Sequence, residues 1–431
     1  QDAKSEKCKL IKVHQNKTTF RVGLVSRILT LGGLERVTQL LATQFADAGH
    51  EVTVITGPAS AADYHLPANV KRVALHPFYQ RLGEMKEISE LNLDVIVFQN
   101  FNDHEHYYMI EWYVQNGMKV IAIDHNFYLC ANYVSPQMVN RQTFQLNNRF
   151  QYLRHTIYPL AHAVATLSPF DALIWKRAGV RSRYIPNPAT YQMKPVANKS
   201  ASQEILFVAR LNDETSKKPQ LPLDVMRHMA QMNPEAKLKM VGHGHERIKK
   251  IAQRQNLKNV EVHGFTLQIG EFYERASVLI ITSRFEGYGM VIAEAIAQGL
   301  AVVAFEMPYL TLMECGVVQV EKKNSLKMAL EVDKLLRNET LRQEIVEKGQ
   351  KCLARQNAEV LPRWNELISK VVNEEDTNFE DEADEDWVDK VLMDEAKLVL
   401  QDYTPKYKKI IRRPSGKKIV KKYVKKYVKR R

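Results

Sequence analysis

Two glutamates with seven residues between them, Glu286 and Glu294, bracket the segment of the chain best suited to chemistry. Between them runs Gly287-Tyr288-Gly289-Met290, a glycine-bearing turn that follows an apolar run at 278–282 and opens a helical stretch at 289–298. Glycine lacks a Cβ, so the backbone there can approach a ligand closely. A helix start presents unpaired N–H groups and the positive end of its dipole, which suits phosphate. Two carboxylates flanking such a site can accept hydrogen bonds from sugar hydroxyls. The chemistry indicated is recognition of a phosphorylated, hydroxyl-rich substrate.

These residues need a scaffold, and the chain has a repeating one. Apolar strand-like runs lie at 21–26, 51–56, 95–98, 120–123 and 164–167. They are separated by segments able to hold helices, the first with Leu34, Val37, Leu40, Leu41 and Phe45 on one face. Continuous apolar runs, rather than alternation, mark parallel strands buried on both faces. The rhythm breaks near Ile185-Pro186-Asn187-Pro188 and a polar stretch to Ser202. It restarts with strands at 205–208, 237–241, 260–263, 278–282 and 301–305, and helices at 221–232 and 246–255. Residues 325–372 read as several helices. The expected fold is α/β, with two Rossmann-like domains facing a central cleft and ligands at the carboxyl ends of the strands. The divisions are a 1–18 extension, domains at 19–190 and 191–372, an acidic linker or helix at 373–404 and a basic tail at 405–431.

The Glu-x7-Glu segment resembles the motif of retaining glycosyltransferases with the GT-B fold, family four in particular. Further segments resemble that family in the same order: Gly32-Gly33 in the first loop, Ile185-Pro186-Asn187 at the junction, Phe207-Val208-Ala209-Arg210-Leu211, and Val241-Gly242-His243-Gly244-His245-Glu246. The resemblance covers roughly residues 20–372. It implies that 19–190 is the acceptor domain and 191–372 the donor domain, and that the donor is a nucleotide-diphosphate sugar, a substrate rather than a cofactor. It implies that Glu294 holds the ribose hydroxyls, that Glu286 contacts the donor sugar, and that His125 lies near donor sugar and acceptor. It places Gly32, Gly33 and Gly287 to Met290 around the nucleotide sugar. Arg210 and a lysine would neutralise the diphosphate, since a breaking glycosidic bond leaves negative charge that fixed cations stabilise. Lys217 and Lys218 both remain candidates, with Lys217 preferred because Pro219 follows it as in some relatives.

No metal is expected in that role. Asp384-Glu385-Asp386 lies in an acidic run without a preceding strand. His104-Glu105-His106 and His243-Gly244-His245 lack third and fourth ligands at usable spacing. The paired glutamates do not read as a glycosidase pair, because the glycine turn and Arg210 point to phosphate.

Charge is distributed unevenly. The net charge of +13 over 431 residues comes from the end of the chain: Lys406 to Arg431 holds fourteen Lys/Arg and no acid, so the rest lies within one charge of neutrality. The run 374–389 just before it is strongly acidic, the mark of a solvated or interacting segment. From 417 the tail repeats every four residues, with Ile419, Tyr423 and Tyr427 in one stripe and Val420, Val424 and Val428 beside it. That pattern predicts an amphipathic cationic helix on an anionic membrane surface, where each basic residue contributes on the order of 1 kcal/mol. Nothing resembles a nucleic-acid-binding module. The four cysteines, Cys8, Cys130, Cys315 and Cys352, are scattered and read as free thiols of a reducing compartment. With no apolar run of membrane-spanning length and no signal peptide, the expected location is cytoplasmic, at the inner face of the cell membrane. A start on Gln rather than Met reads as a trimmed chain.

The expected activity is transfer of a sugar, with retained anomeric configuration, to an acceptor hydroxyl in a cell-surface polysaccharide or lipid-linked glycan. The rivals are a non-catalytic GT-B subunit that binds a substrate or partner, and a phosphorylase or synthase of related fold.

Overall fold

The computed structural model describes residues 18–30, 32–74, 87–99, 104–133, 156–195 and 202–411. The basic repeat from 417, Cys8 and most of the 1–18 extension lie outside these residues. Two parallel sheets form the frame. The first has seven strands in the order β3-β2-β1-β4-β5-β6-β7: β1 Arg21–Val25, β2 Glu51–Thr56, β3 Lys71–Ala74, β4 Val95–Gln99, β5 Val120–Asp124, β6 Ala163–Thr166 and β7 Ser182–Tyr184. The second has six in the order β10-β9-β8-β11-β12-β13: β8 Glu204–Val208, β9 Lys237–Val241, β10 Val260–His263, β11 Val278–Ile281, β12 Ala301–Phe305 and β13 Val318–Val320. The fold class read from the sequence holds.

In each sheet the strand order reverses once, between β1 and β4 and between β8 and β11. A crevice opens at such a switch point because the flanking crossovers leave on opposite faces. Every sequence-derived site residue except Gly33, Met290 and Glu294, which lie in helices, sits in a loop that leaves the carboxyl end of a strand. The helices behind them are α1 Gly33–Asp47, α2 His104–Gln115, α3 Pro169–Arg177, α4 Leu221–Met232, α5 His245–Arg254, α6 Ile269–Arg275 and α7 Met290–Ala297. Then come α8 Ser325–Arg337, α9 Glu339–Val372 and α10 Glu385–Ile411. Central strands expose almost nothing: Val22, Leu24, Ile96, Leu206 and Leu279 are all fully buried. Strands β3, β7 and β13, which the apolar-run reading passed over, are short and carry polar residues (KRVA, SRY, VQV).

The two halves share their core. Phe127, Phe170, Leu173 and Ile174 of the first half join Tyr288, Ile292, Tyr309 and Leu310 of the second in one buried cluster. The sequence reading assigned all of 191–372 to the second domain. In the structure α9 serves both: Val346 packs on the second sheet, while Val360, Trp364, Leu367, Ile368 and Val371 complete the core of the first. Trp364 meets Phe45 of α1 edge-on at 5.7 Å. Pro362 sits inside this helix.

The acidic run is no free linker. Asp381 pairs with Lys176, Glu382 with Arg183 and Arg363, and Asp389 with Arg177. Trp387 of α10 packs edge-on against Phe170, and Val388 beside it is fully buried. Farther along, Glu395 pairs with Lys322 of the second half at 2.6 Å. The strap thus crosses from one domain to the other, and α10 runs past the expected boundary at 404. Among the described residues no helix is long and apolar enough to cross a membrane.

One reading is overturned. Cys315 and Cys352 form a disulfide, with Cα atoms 5.2 Å apart. Spacing along the chain concealed it because α9 is brought against the 315–316 turn from 37 residues away. Gly349 permits the approach: a Cβ there would lie 2.7 Å from the Cys315 carbonyl oxygen. Cys130 is buried and lies outside this disulfide. The cysteines therefore no longer argue for a reducing compartment.

Candidate functional site

The site is built around the turn between β11 and α7. Gly289 adopts φ +85°, a left-handed conformation that glycine takes without steric cost, and no side chain caps the helix it opens. Gly287 is required for a different reason. A Cβ on it would sit 1.9 Å from the His125 carbonyl oxygen, so the first domain's backbone lies directly against it. Phe127, two residues on, stacks on Tyr309 with ring centroids 3.6 Å apart, and the Tyr309 hydroxyl accepts the Glu286 N–H at 3.2 Å. The loops after β5 and β11 are locked together at this seam. The Tyr288 side chain is buried in the shared core, so only its backbone can face a ligand. Gly33 lies opposite Met290, and Asn187 of the junction also reaches the Met290 sulfur at 3.6 Å. The position a Gly32 Cβ would take is filled by the Glu35 carboxylate.

The two lysine candidates separate. Lys217 Nζ bonds both oxygens of Glu286, at 2.6 and 2.7 Å, and the pair is largely shielded, with side chains 21% and 14% exposed. Lys218, with φ +51°, faces a neighbouring cavity that Glu286 does not line. Asp213 sets this turn: its Oδ1 accepts the Ser216 N–H, and its carbonyl accepts the N–H of both Lys217 and Lys218. The turn is stitched to the β11 loop by Arg284 N–H to Ser216 O at 2.7 Å and by the Thr282 hydroxyl to Lys217 O at 3.0 Å. Arg210 stands out into the open, 68% exposed and paired with Asp213 at 2.8 Å. The 241–246 loop supports its base: a Cβ on Gly242 would strike Ala209 O at 1.8 Å, and Leu211 N–H bonds His243 O. His243 stacks on Phe265 and His245 pairs with Glu246.

Glu294 faces inward along α7, where the Tyr273 hydroxyl donates to it at 2.8 Å. Burial raises its carboxyl above the ordinary range, against the lowering effect of the Tyr273 and Thr190 hydroxyls and of Arg36. Arg36 belongs to α1 of the other domain, where its guanidinium lies over the Tyr64 ring at 5.2 Å. Tyr309, Tyr273 and Arg36 carry no motif in the sequence; only the fold brings them to the paired glutamates. The His125 ring bonds Gln99, and burial lowers its pKa to about 4, so it is neutral near pH 7.

The region 31–190 matches the family model of Glycosyltransferase Family 4, and 190–352 that of Glycosyl transferases group 1. The chain is 23% identical over 382 residues to a Campylobacter jejuni α-1,4-N-acetyl-D-galactosaminyltransferase named for a diNAcBac-PP-undecaprenol-linked glycan, covering 82% of this chain and 99% of that one. A Bacillus subtilis poly(glycerol-phosphate) α-glucosyltransferase is 32% identical over 123 residues, 27% of this chain and 18% of that one. Among solved structures, sucrose-phosphate synthase of Thermosynechococcus elongatus aligns with TM-score 0.65 at 17% identity over 82% of this chain and 99% of its own. Anabaena HepE, in complex with UDP and glucose, aligns with TM-score 0.62 at 17% identity over 81% and 99%.

The lowered His125 pKa has a sign that can be tested. Between pH 6.5 and about 4 the unfolded chain binds a proton at this residue that the folded chain excludes. Its contribution is therefore full above pH 6.5 and lost as pH falls towards 4. His125→Gln should flatten the fall of Tm with acidification across that window. Thermal melts at half-unit pH steps check this; a slope equal to wild type would show that His125 titrates freely.

Proposed function

The chain belongs to the GT-B glycosyltransferases of the family-four type, an enzyme family with members in polysaccharide and lipid-linked glycan synthesis, and from that premise we propose that it moves a sugar from a nucleotide diphosphate to an acceptor hydroxyl with retention at the anomeric carbon. The observation that carries this reading is the convergence at the start of α7: the Lys217 ammonium on Glu286, an uncapped helix N-terminus and the first domain's His125 loop meet at one place. As the bond from C1 to the diphosphate oxygen breaks, charge builds on that oxygen. Lys217, Arg210 and the α7 N–H groups stabilise it, and the acceptor oxygen forms the new bond at C1 from the same face, its proton passing to the departing diphosphate oxygen. Glu286 holds Lys217 in place and contacts the donor sugar. Glu294 takes the ribose hydroxyls. His125, neutral and bonded to Gln99, orients the sugar or acceptor without carrying charge. No metal is needed where Lys217 and Arg210 supply the positive charge.

Lys217→Ala should lower kcat by about 100-fold, the size of loss expected when one transition-state donor is removed. Glu294→Ala should mainly raise the donor KM, and Glu286→Ala should mainly reduce turnover. Transfer should survive EDTA. The assay is release of nucleoside diphosphate from a panel of nucleotide sugars. Wild-type kinetics in all three variants, or EDTA loss restored by Mn²⁺, would overturn the reading.

We further propose that the basic repeat from 417 holds the enzyme on an anionic membrane surface, at the cytoplasmic face where a lipid-linked acceptor would be met. What supports it is the four-residue repeat of Lys with Tyr and Val, together with the undecaprenol-linked glycan in the name of the Campylobacter relative. Deleting 406–431 should abolish sedimentation with anionic vesicles and leave turnover of a soluble acceptor nearly unchanged. Tyr423→Ser with Tyr427→Ser keeps every charge and should still weaken binding at low salt. Undiminished binding would reduce the tail to a plain polycation.

A further inference from the structure

The Glu294 carboxylate of the second domain is approached from the first by a cation, Arg36 of α1. Arg36 is half-buried and reaches across the seam: its Nη2 donates to the Thr190 carbonyl at 3.4 Å. Its Nη1 donates to Gln39 Oε1 at 3.0 Å, and its guanidinium lies over the Tyr64 ring. These partners are all uncharged, and among the described residues no carboxylate forms an ion pair with Arg36. The segment it grips leads straight to Glu294. Tyr191, next to Thr190, meets Tyr273 edge-on with centroids 6.1 Å apart, and the Tyr273 hydroxyl donates to Glu294 at 2.8 Å. Burial pushes the Glu294 carboxyl up, and the Tyr273 and Thr190 hydroxyls and Arg36 push it down. The other groups around it carry no charge near neutral pH. Burial holds Tyr64, Tyr191 and Tyr273 above their ordinary range. From α9 the neutral Gln350 amide donates to Ile296 O of α7 at 3.1 Å, and β11 and β12 read VLII and AVVAF.

We propose that Arg36 is a positioning residue for the donor: from the opposite domain it supplies the positive charge that holds the Glu294 carboxylate ready for the ribose hydroxyls. A carboxylate withdrawn from water favours its neutral form unless a charge or hydrogen bonds compensate. Tyr273 supplies the hydrogen bond and Arg36 the charge. On the reading that gives Glu294 the ribose hydroxyls, the ionised carboxylate accepts two hydrogen bonds from them, and protonation weakens that grip. Nucleotide affinity is then full above the pKa of Glu294 and declines as pH falls through it. Without Arg36 that pKa rises, so the decline sets in at a higher pH. Arg36 itself touches neither the sugar nor the diphosphate in this role. Its effect is small in alkaline solution, where Glu294 is ionised with or without it, and large in mildly acidic solution.

The test is calorimetric titration of the full chain with UDP, GDP, ADP and dTDP at pH 8 and pH 5.5, the variants being compared on the nucleotide that wild type binds most tightly. Taking the ratio to wild type at each pH removes the titration of the nucleotide itself. Arg36→Gln should bind no more than about threefold more weakly at pH 8 and about tenfold more weakly at pH 5.5. Arg36→Lys keeps the charge and should follow the wild-type pH dependence. In a Glu294→Gln background, Arg36→Gln should cost no more than about twofold at either pH, because the carboxylate it acts on is gone. Melting curves at both pH values identify a variant that fails to fold, and Arg36→Met is the second neutral replacement. Equal, pH-independent losses in Arg36→Gln and Arg36→Lys would make Arg36 a plain staple between domains and overturn the proposal. So would wild-type affinity in Arg36→Gln at pH 5.5, or an undiminished loss in the Glu294→Gln background. Wild-type affinity in Glu294→Gln alone would instead overturn the assignment of Glu294 to the ribose, and a wild-type chain that binds none of the four nucleotides would overturn the donor reading; the role of Arg36 falls with either.

Discussion

The architecture depends on one close approach. The backbone of Gly287, in the second domain, lies so near the His125 carbonyl of the first that no side chain fits between them. A side chain there would have to push two domains apart, because each half of the contact is fixed within its own sheet. His125 follows directly on β5, and Gly287 sits in the loop between β11 and the positive-φ Gly289. Around this point the Phe127–Tyr309 stack and the Glu286 N–H to Tyr309 bond fix the spacing. The paired glutamates acquire their different settings from the same seam. Glu286 is held at its edge by Lys217, and Glu294 is drawn inward against Tyr273.

Distant parts of the chain reinforce the closure. Helix α9 adds side chains to both cores, so the domains cannot separate without disturbing it. The acidic strap adds ion pairs to Lys176, Arg177 and Arg183 on one side and to Lys322 on the other. The pairs to Lys176, Arg177 and Arg183 have exposed or partly exposed carboxylates and contribute little singly, whereas Lys322–Glu395 is buried. The buried Val388 and the Trp387–Phe170 contact give the strap its anchorage, and the charges set its register.

Legibility in the sequence followed from locality. The buried strands announced themselves as apolar runs, and their ends fell within a residue of the observed ones, as at β9 and β12. The turn from Glu286 to Met290 was legible because strand, glycines and helix are consecutive. Strands β3, β7 and β13 were not, since these edge strands run only three or four residues and mix polar with apolar side chains. Lys217 and Lys218 were indistinguishable as letters; the fold sets Lys217 on Glu286 and Lys218, at positive φ, against a cavity that Glu286 does not line. The Cys315–Cys352 pair, Tyr309 against Phe127 and Arg36 near Glu294 all join residues far apart in the chain. No spacing rule reaches such pairs, and only the completed fold reveals them. The acidic run was read correctly as charged, but its partners lie on surfaces that exist only after the first domain has formed.

The most direct test of this account is Gly287→Ala, read by nucleoside diphosphate binding, donor turnover and small-angle scattering together. The added methyl leaves Glu294, Lys217 and the α7 N–H groups in place while forbidding the contact with His125. Binding should stay within about threefold of wild type, because on the proposed reading the diphosphate and ribose rest on second-domain groups, Arg210, Lys217, Glu294 and the α7 N–H groups. Turnover should fall by at least about 100-fold, in line with the cost of misplacing reacting groups by an ångström or so, and the radius of gyration should grow as the cleft opens. Wild-type turnover at an unchanged radius would contradict the account, since it would show that the seam between Gly287 and His125 is not what assembles the site.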